Sequence, residues 1–352
     1  LSVGDYNIAF GQGITASSGL AFGKSSETIN IRRNAQGILP YRSVDENLFL
    51  RGGAATVGFK RIDFSAFYSN KFIDANISAY DTLSKEALYV SSLQATGFHR
   101  TPNELEDKHA IREWIYGFNI GYKTSSFQMG LTATHTEYSA PLIKDQSDYN
   151  QFDFNGKENW NVGIDYSLRF QNMVAFGELA QSKSKGIGYL NGLLISLHQH
   201  LALSVLHRHY DRNYHGLMSN AFSESSRNIN EDGIYVGIEY KPSKKWRFTA
   251  YSDHYKFSWL KYRVDAPSDG ADYLAQLNYK PSKKIEMYGR YRFEQKSINT
   301  STEEVVDYLV AQTKQGARYN IGYAVTNALT IKSRVEWVGY SETGKSKDNG
   351  YM

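Results

Sequence analysis

The stretch Asn159–Phe170 reads NWNVGIDYSLRF and alternates between apolar and polar residues. Its even positions are apolar and its odd positions are mostly polar: Trp160, Val162, Ile164, Tyr166 and Leu168 against Asn159, Asn161, Asp165, Ser167 and Arg169. Successive side chains of a β-strand point to opposite faces of the sheet, so a period of two predicts a strand. This strand has one apolar face and one polar face.

The same alternation recurs along the chain and predicts about fifteen strands of about ten to fourteen residues. Four further apolar stripes are Trp114, Tyr116, Phe118, Ile120 and Tyr122; Phe127, Met129, Leu131 and Ala133; Ile285, Met287, Tyr291 and Phe293; and Leu329, Ile331, Val335 and Trp337. Strands of soluble sheets are usually about five or six residues long, whereas a tilted membrane crossing needs about ten. The strand length therefore favours a membrane protein.

The connections between the predicted strands are alternately short and long. The short ones are residues 60–61, 124–125, 171–172, 198–199 and 325–327 and two copies of a lysine-rich turn; the long ones are 23–46, 74–110, 139–158, 213–232, 259–270 and 297–314. Outer-membrane barrels have short periplasmic turns and long extracellular loops. We therefore predict an all-β, antiparallel transmembrane β-barrel in the outer membrane of a Gram-negative bacterium.

A soluble propeller or a pair of β-sandwiches would show the same alternation. However, the polar face carries several charges per strand, which are costly in a dry core and easily accommodated in a water-filled lumen. The charges, the strand length and the unequal loops favour the barrel.

The composition excludes several classes of protein. The 352-residue chain has a mean hydropathy of −0.51, and no apolar run approaches the ~20 residues of a membrane-spanning helix. It has no cysteine, which excludes disulfides, thiolate metal sites and cysteine catalysis. The net charge of +4 is too small to indicate nucleic-acid binding.

We expect residues 1–352 to form a single barrel domain that is incomplete at both ends, with a loop insertion at 74–110. An odd number of strands does not close an ordinary antiparallel barrel, so the complete barrel is expected to have about 16 to 18 strands.

The hexapeptide YKPSKK occurs twice, at Tyr240–Lys245 and at Tyr279–Lys284. The copies are 39 residues apart, which corresponds to two strands and one outer loop. Tyrosine is typical of the membrane interface, and proline presets the backbone of a turn. Both copies are therefore predicted to be short periplasmic hairpin turns.

The loop insertion is predicted to contain a short helix from about Pro102 to Lys108. Thr101 and Glu104 have the spacing of a capping box, and proline suits the first helical position. The helix could belong to a surface lid or to a plug in the lumen, held by Arg100 and Arg112 against lumen carboxylates. The residues of such a plug would be Arg100, Thr101, Glu104, Asp107 and Lys108. The connection 23–46 could be a second inward plug or an ordinary loop.

Charged residues on the polar faces of the last strands are predicted to line the lumen: Glu286, Arg290, Arg292, Glu294, Lys332, Arg334 and Glu336. Their mixed signs argue against a strong preference for anions or cations. Wall side chains do not fill a barrel of this size. The lumen would therefore be a water channel, be plugged by loops, or be occupied by a partner.

Signals for catalysis are weak. GLAFGKS at Gly19–Ser25 has three residues between its glycines, whereas the phosphate-binding loop needs four and a following helix. His207, His209 and Asp211 lie on one face of a strand and could bind a metal, but such histidines are more often interface residues. Asp253 with His254, or Asp211 with His215, could belong to a hydrolase.

We therefore expect no catalytic residue, no metal and no cofactor. The leading hypothesis is a non-enzymatic pore or scaffold in a larger envelope assembly, with its lumen restricted by loops. Its partners would be outer-membrane lipids and other envelope proteins or lipoproteins. An outer-membrane hydrolase with a histidine at its rim is an alternative.

Three motifs resemble the barrel region of Bacteroidota outer-membrane proteins that carry helix-hairpin-helix repeats before the barrel. They are GDYNIAFGQGI…FGKS (Gly4–Ser25), FLRGGAATVGF (Phe49–Phe59) and GFHRTPNELEDK (Gly97–Lys108), and they cover the first third of the chain. The resemblance implies an envelope location and a barrel fold. The helix-hairpin-helix part is not in this chain, so nucleic acid as a partner, in a DNA or polymer uptake or export channel, is only an alternative.

Overall fold

The computed structural model describes residues 1–19, 23–43, 47–81, 83, 86–300, 308–343, 345 and 347–351. They form one sheet of 18 strands. The strands are β1 Ser2–Ala9, β2 Gly37–Pro40, β3 Leu50–Phe59, β4 Ile62–Tyr80, β5 Ala87–Gln94, β6 Ile111–Lys123, β7 Phe127–Leu142, β8 Gly156–Phe170, β9 Met173–Ser182, β10 Ile187–His198, β11 Leu201–Tyr210, β12 Glu231–Ser243, β13 Trp246–Phe257, β14 Ser268–Tyr279, β15 Ile285–Asn299, β16 Leu309–Ala324, β17 Thr330–Glu342 and β18 Asp348–Tyr351, with one α-helix, α1 Pro102–Glu106.

The barrel wall is an antiparallel ladder. β1 pairs with β3, β3 with β4 and β4 with β6, and each strand from β6 to β17 pairs with the next one along the chain. β2 and β18 have four residues each, and β5 extends the ladder at one end of β4. The structure thus has three strands more than the about fifteen that the alternation predicts. Two of the additional strands, β2 and β5, lie within the predicted loops 23–46 and 74–110.

The outer face of the wall is apolar and the inner face is polar. Within Asn159–Phe170, Trp160 and Val162 are 38% and 40% exposed, whereas Asn159 and Asn161 are buried. Exposed apolar side chains continue around the barrel as an outer belt: Phe64, Phe118, Ile120, Leu131, Ile164, Ile234, Val236, Leu277, Tyr319 and Val335. A wall whose backbone groups pair with one another can cross a bilayer, and this inside–outside polarity is that of outer-membrane proteins. The protein is an outer-membrane β-barrel.

The two rims of the barrel differ as predicted. The seven turns that follow β3, β6, β8, β10, β12, β14 and β16 have two to five residues each and form the short-turn rim. Several strands extend into the predicted long loops; β7 reaches Leu142 and β8 starts at Gly156, so only residues 143–155 connect them. Residues 44–46 and 301–307, in two of the predicted loops, lie outside the described residues.

The predicted helix is confirmed as α1. The Glu104 amide donates to Thr101 Oγ1 at 3.3 Å, and the Thr101 amide donates to Glu104 Oε2 at 3.2 Å, which is the expected capping box. The helix ends at Glu106, and Asp107 is its C-cap. No helix in the described residues is long and apolar enough to cross a membrane.

Two segments turn into the lumen and form its core. One follows β1, and the other is the connection 211–230 between β11 and β12. Their buried side chains pack against inward-facing wall residues in two clusters: Ile14, Ile31, Tyr214 and Phe222 with Phe176, Leu206 and Tyr235, and Phe10, Ala16 and Met218 with Leu50, Phe67 and Ile115. These two clusters of the hydrophobic core therefore lie inside the barrel.

Candidate functional site

The chain enters the lumen directly after β1. Ala9 forms an isolated antiparallel bridge with Ser17, and the Phe10 amide donates to Ala16 O at 3.0 Å. Gly11 and Gly13, with φ of +57° and +83°, take the left-handed backbone that glycine adopts readily. Residues 10–19 and 23–33 are called the inner segment below.

The first part of the inner segment wraps around the buried carboxylate of Glu178 on β9. Three backbone amides donate to it, from Gln12 at 2.6 Å, Ile14 at 3.1 Å and Thr15 at 2.8 Å, and the Thr15 hydroxyl donates at 2.6 Å. Hydrogen bonds to a charged acceptor are about twice as strong as neutral ones. Glu178 thus fastens the start of the inner segment to the wall.

Two glycines let the inner segment approach the wall closely. A Cβ atom on Gly163 of β8 would overlap the Thr15 hydroxyl. A Cβ atom on Gly237 of β12 would lie 2.6 Å from Thr28 O. The wall is therefore shaped for this segment at both positions.

Lys24 of the inner segment lies among three carboxylates. Its Nζ is 2.9 Å from Asp253 Oδ2 and 3.0 Å from Asp272 Oδ2, and it also pairs with Glu224. Asp253 and Asp272 are buried on β13 and β14, and Glu224 belongs to the inward connection 211–230. One side chain thus joins the inner segment, the inward connection and the wall.

The Lys24 site is part of a larger network of charges. Arg208 of β11 is fully buried and bonds Asp253 at 2.7 Å and Glu231 at 2.6 Å, and Arg292 of β15 bonds Asp272 at 2.8 Å. Lys296 bridges Glu224 and Glu294. The members are Lys24, Arg208, Arg292 and Lys296 with Glu224, Glu231, Asp253, Asp272 and Glu294. The buried members are tolerable because each one is paired, whereas the side chains of Arg292 and Lys296 are 46% and 41% exposed.

Two members of the network, Lys24 and Glu224, lie outside the strands. The other charges of the network shift their pKa values. Burial alone would lower the pKa of Lys24, but Asp253, Glu224 and Asp272 outweigh it and raise the pKa above 10.5. Burial alone would raise the pKa of Glu224, but Lys24 and Lys296 hold it below 4.5. Both side chains are therefore charged at neutral pH.

A third attachment lies at Glu27 and Thr28. Arg247 of β13 donates to Glu27 Oε1 at 2.8 Å. The Thr28 hydroxyl donates to Ile238 O at 2.8 Å, and Thr28 O accepts from Ser204 Oγ at 2.7 Å. The bonds described so far thus join the inner segment to β9, β11, β12, β13 and β14.

The inward connection 211–230 packs on the inner segment. The Tyr214 hydroxyl donates to Ile14 O at 2.9 Å. The Asn220 amide donates to Gly13 O, and the Ser17 amide donates to Met218 O, both at 2.8 Å. The two segments form one body inside the lumen.

Cavities border this body on different sides. One of about 400 Å³ is lined by Asn30, Arg32 and Arg33 of the inner segment. Another, of about 390 Å³, is lined by Leu217 and Met218 of the connection and by wall residues such as Ile115. Ser17 and Gly19 line both cavities, so the inner segment separates them.

The structure brings some of the proposed lumen-lining residues together. Arg290, Arg292, Glu294 and Glu336 line one cavity of about 270 Å³. Arg290 also donates to Ser26 Oγ of the inner segment at 3.4 Å. Glu286, Lys332 and Arg334 lie outside that cavity's lining; Glu286 pairs with Lys280 near the short-turn rim at 3.1 Å, and Arg334 is 3.9 Å from Glu336.

The proposed plug residues lie at the surface. Arg100 bonds Glu104 within the same segment, and Thr101 caps α1, in which no residue is buried. Asp107 O accepts the Ala75 amide of β4 at 3.0 Å, and Lys108 is exposed. Arg112 stacks on Phe72 and Trp114. The expected contacts of Arg100 and Arg112 with lumen carboxylates are therefore absent among the described residues, whereas part of the predicted connection 23–46 does turn inward.

The candidate catalytic groups do not converge. Asp253 faces inward within the charge network, while His254 bonds the Tyr273 hydroxyl on the outer face at 3.2 Å. Asp211 bonds His209 at 3.2 Å, while His215 bonds Phe152 O. Within GLAFGKS, residues 20–22 lie outside the described residues. Lys24 of this motif forms ion pairs with three carboxylates. In the described part of the chain, no three His, Asp or Glu side chains could hold a metal ion.

Comparison with known proteins gives the following similarities. No family model matches the chain, and no curated protein does. OccAB4 of Acinetobacter baumannii is 12% identical, with a TM-score of 0.41 over 84% of this chain and 71% of that one. OpdQ of Pseudomonas aeruginosa is 8% identical, with a TM-score of 0.42 over 85% and 77%. The FrpB iron transporter of Neisseria meningitidis is 11% identical, with a TM-score of 0.38 over 82% and 58%. Because these TM-scores and identities are low, the assignment of the fold as a barrel rests on the strand pairing and on the outer belt.

Proposed function

We propose that the protein is an outer-membrane pore that its own inner segment holds closed and that opens when this segment leaves the lumen. The observation that carries the proposal is the set of carboxylates around Lys24. The inner segment is fastened by ion pairs and hydrogen bonds at a few residues, so a change at one of them can release it. The cavities on either side of Ser17 and Gly19 are the expected remnants of an interrupted passage.

A second function is favoured by a different observation. Ile14 and Ile31 of the inner segment are almost completely buried in an apolar cluster, as in a permanent core. A barrel with such a core would be a scaffold in a larger envelope assembly, with other envelope proteins or lipoproteins as partners. A nucleic-acid channel would need a surplus of cations on the inner wall, whereas the network around Lys24 contains four cations and five carboxylates.

Single-channel conductance in planar bilayers distinguishes the two functions. The full-length protein is compared with Lys24→Met, which removes the charge but retains a long unbranched side chain. Lys108→Met, in the exposed segment after α1, is the matched control. Removing one partner of a buried ion pair costs about 3–5 kcal/mol, which shifts a closed–open equilibrium by about a hundredfold or more.

We expect the wild type and Lys108→Met to be closed and Lys24→Met to open frequently. A pore that is steadily open in the wild type would contradict the proposed closure. If Lys24→Met and a variant without residues 23–33 both remain silent after correct folding and insertion, the scaffold function is favoured.

A further inference from the structure

The two copies of YKPSKK are neighbours in space. The first forms the end of β12 and the turn 244–245, and the second forms the end of β14 and the turn 280–284. The Lys280 amide donates to Lys245 O at 2.8 Å. The rings of Trp246 and Tyr279 stack with centroids 4.0 Å apart. Residues 240–246 and 279–284 therefore form one surface, called the paired-turn surface.

The paired-turn surface carries a concentrated positive charge. Lys241 pairs with Glu239 at 2.8 Å, and Lys280 pairs with Glu286 at 3.1 Å. The other four lysines are exposed and form no ion pair within the described residues: Lys244, Lys245, Lys283 and Lys284. Four positive charges on two adjacent turns are thus left without compensation.

The surface is continuous with the lipid-facing belt. Val236 and Ile234 are exposed on the outer face of β12, and Tyr240 follows on the same face, 44% exposed. Trp246 begins β13 beside it and is 39% exposed. Tyrosine and tryptophan settle where hydrocarbon meets headgroups, and lysine extends its ammonium group to that level. We therefore expect the four lysines to reach the height of the lipid phosphates.

We propose that the paired-turn surface binds the phosphate of an anionic phospholipid headgroup in the leaflet at the short-turn rim. Clustered lysines beside a membrane attract anionic lipids. The aromatic pair favours a lipid over an acidic protein, because it places the lysines beside acyl chains and headgroups. This binding does not depend on whether the lumen opens.

The test measures the lipids that remain bound to the protein. Full-length protein is reconstituted in nanodiscs with equal amounts of phosphatidylethanolamine and phosphatidylglycerol, purified in detergent, and the retained lipids are quantified by mass spectrometry. The variant carries Lys244→Gln, Lys245→Gln, Lys283→Gln and Lys284→Gln. The control carries Lys157→Gln, Lys183→Gln, Lys185→Gln and Lys256→Gln, which make the same change of net charge at the other end of the barrel.

We expect phosphatidylglycerol to be enriched on the wild type and the control, and this enrichment to be lost in the variant. Arginine at the four positions should retain it. Equal enrichment on variant and control would overturn the proposal and would leave an acidic protein as the partner. If the glutamine variant does not fold, titration of the wild type with salt replaces it: enrichment that is unchanged at high ionic strength would also overturn the proposal.

Discussion

At the scale of the residue, the structure inside the lumen depends on charged side chains that form ion pairs with one another. Moving a charge out of water costs several kcal/mol, and only close partners with good geometry offset that cost. Arg208 and Asp253 meet this condition with two hydrogen bonds at 2.7 and 3.0 Å. Lys24 is the member contributed by the inner segment, so the wall recognises this segment by its charge and its position together.

A methyl group at Gly163 is expected to disturb the inner segment. In Gly163→Ala the new Cβ would overlap the Thr15 hydroxyl, which would displace Thr15 from Glu178. A buried carboxylate that loses a partner costs about 1–3 kcal/mol. The open probability in bilayers should therefore rise by about fivefold to about 150-fold.

The matched control for that substitution is Gly289→Ala, which places the same methyl group on β15. No atom lies within 4 Å of a Cβ there, so this variant should behave as the wild type. Equal effects of the two substitutions would show that strand propensity, and not contact with Thr15, is responsible.

The Lys24–Glu224 ion pair is expected to depend on pH only at the extremes. The pKa of Glu224 lies below 4.5 in the folded protein, so its ion pairs are complete above pH 4.5 and are lost as the pH falls through the lowered value. The pKa of Lys24 lies above 10.5, so its charge is lost only above that pH. Openings caused by loss of this pair should therefore be rare between pH 4.5 and 10.5 and frequent in stronger acid.

Two variants test the origin of the acid response. Glu224→Gln should open at pH 7 and lose much of the response, because the titrating carboxyl is gone. Asp153→Asn should retain the acid response, because Asp153 lies outside the lumen network. Burial alone would raise the pKa of Asp153, but Arg227 and Lys144 outweigh it and lower the pKa. An unchanged acid response in Glu224→Gln would assign it to another carboxyl.

At the scale of the element, the position of a segment depends on which partners its charges find. α1 satisfies its own charges, because Arg100 pairs with Glu104 and Glu104 caps the helix. Such a segment needs no lumen partner and remains at the surface. The inner segment has Lys24 and Glu27, and both find partners on the wall.

Deletion of residues 97–108 is therefore expected to leave the pore closed. The segment contributes no buried side chain from α1, and its contacts are with β4. The conductance of this variant should equal that of the wild type, whereas a variant without residues 23–33 should conduct. An open 97–108 deletion would revive the prediction that this segment is the plug.

At the scale of the whole molecule, the architecture follows from local patterns and the site does not. Period two in Asn159–Phe170 is sufficient to predict the strand, its outer face and the inward position of Asp165. Arg292 and Glu294 were predicted for the lumen by the same rule. The rule does not predict the site of Lys24, because its wall partners are distant in the chain; Lys24 and Asp253 are 229 residues apart. The only local signals were the glycines in GQGIT (Gly11–Thr15) and the inward turn considered for 23–46.

The depth of a residue in the membrane should determine the cost of a charge on the outer belt. Val162 lies near the middle of β8 and Leu168 near its end at the short-turn rim, and both face outward. Val162→Arg should lower the free energy of unfolding by about 2–4 kcal/mol, and Leu168→Arg by about 1 kcal/mol or less. Urea unfolding in lipid vesicles measures both, and equal costs would contradict the proposed orientation of β8 across the bilayer.

The distance in sequence between the inner segment and its partners also constrains the order of folding. Gln12 is bonded to a residue 166 positions further along the chain, and Lys24 to one still later. Contacts of such high sequence separation form slowly, because the intervening chain must first be ordered. Until β9 and then β13 and β14 are in place, the inner segment has no binding site in the lumen. Residues near the start of the chain are therefore among the last to reach their final positions.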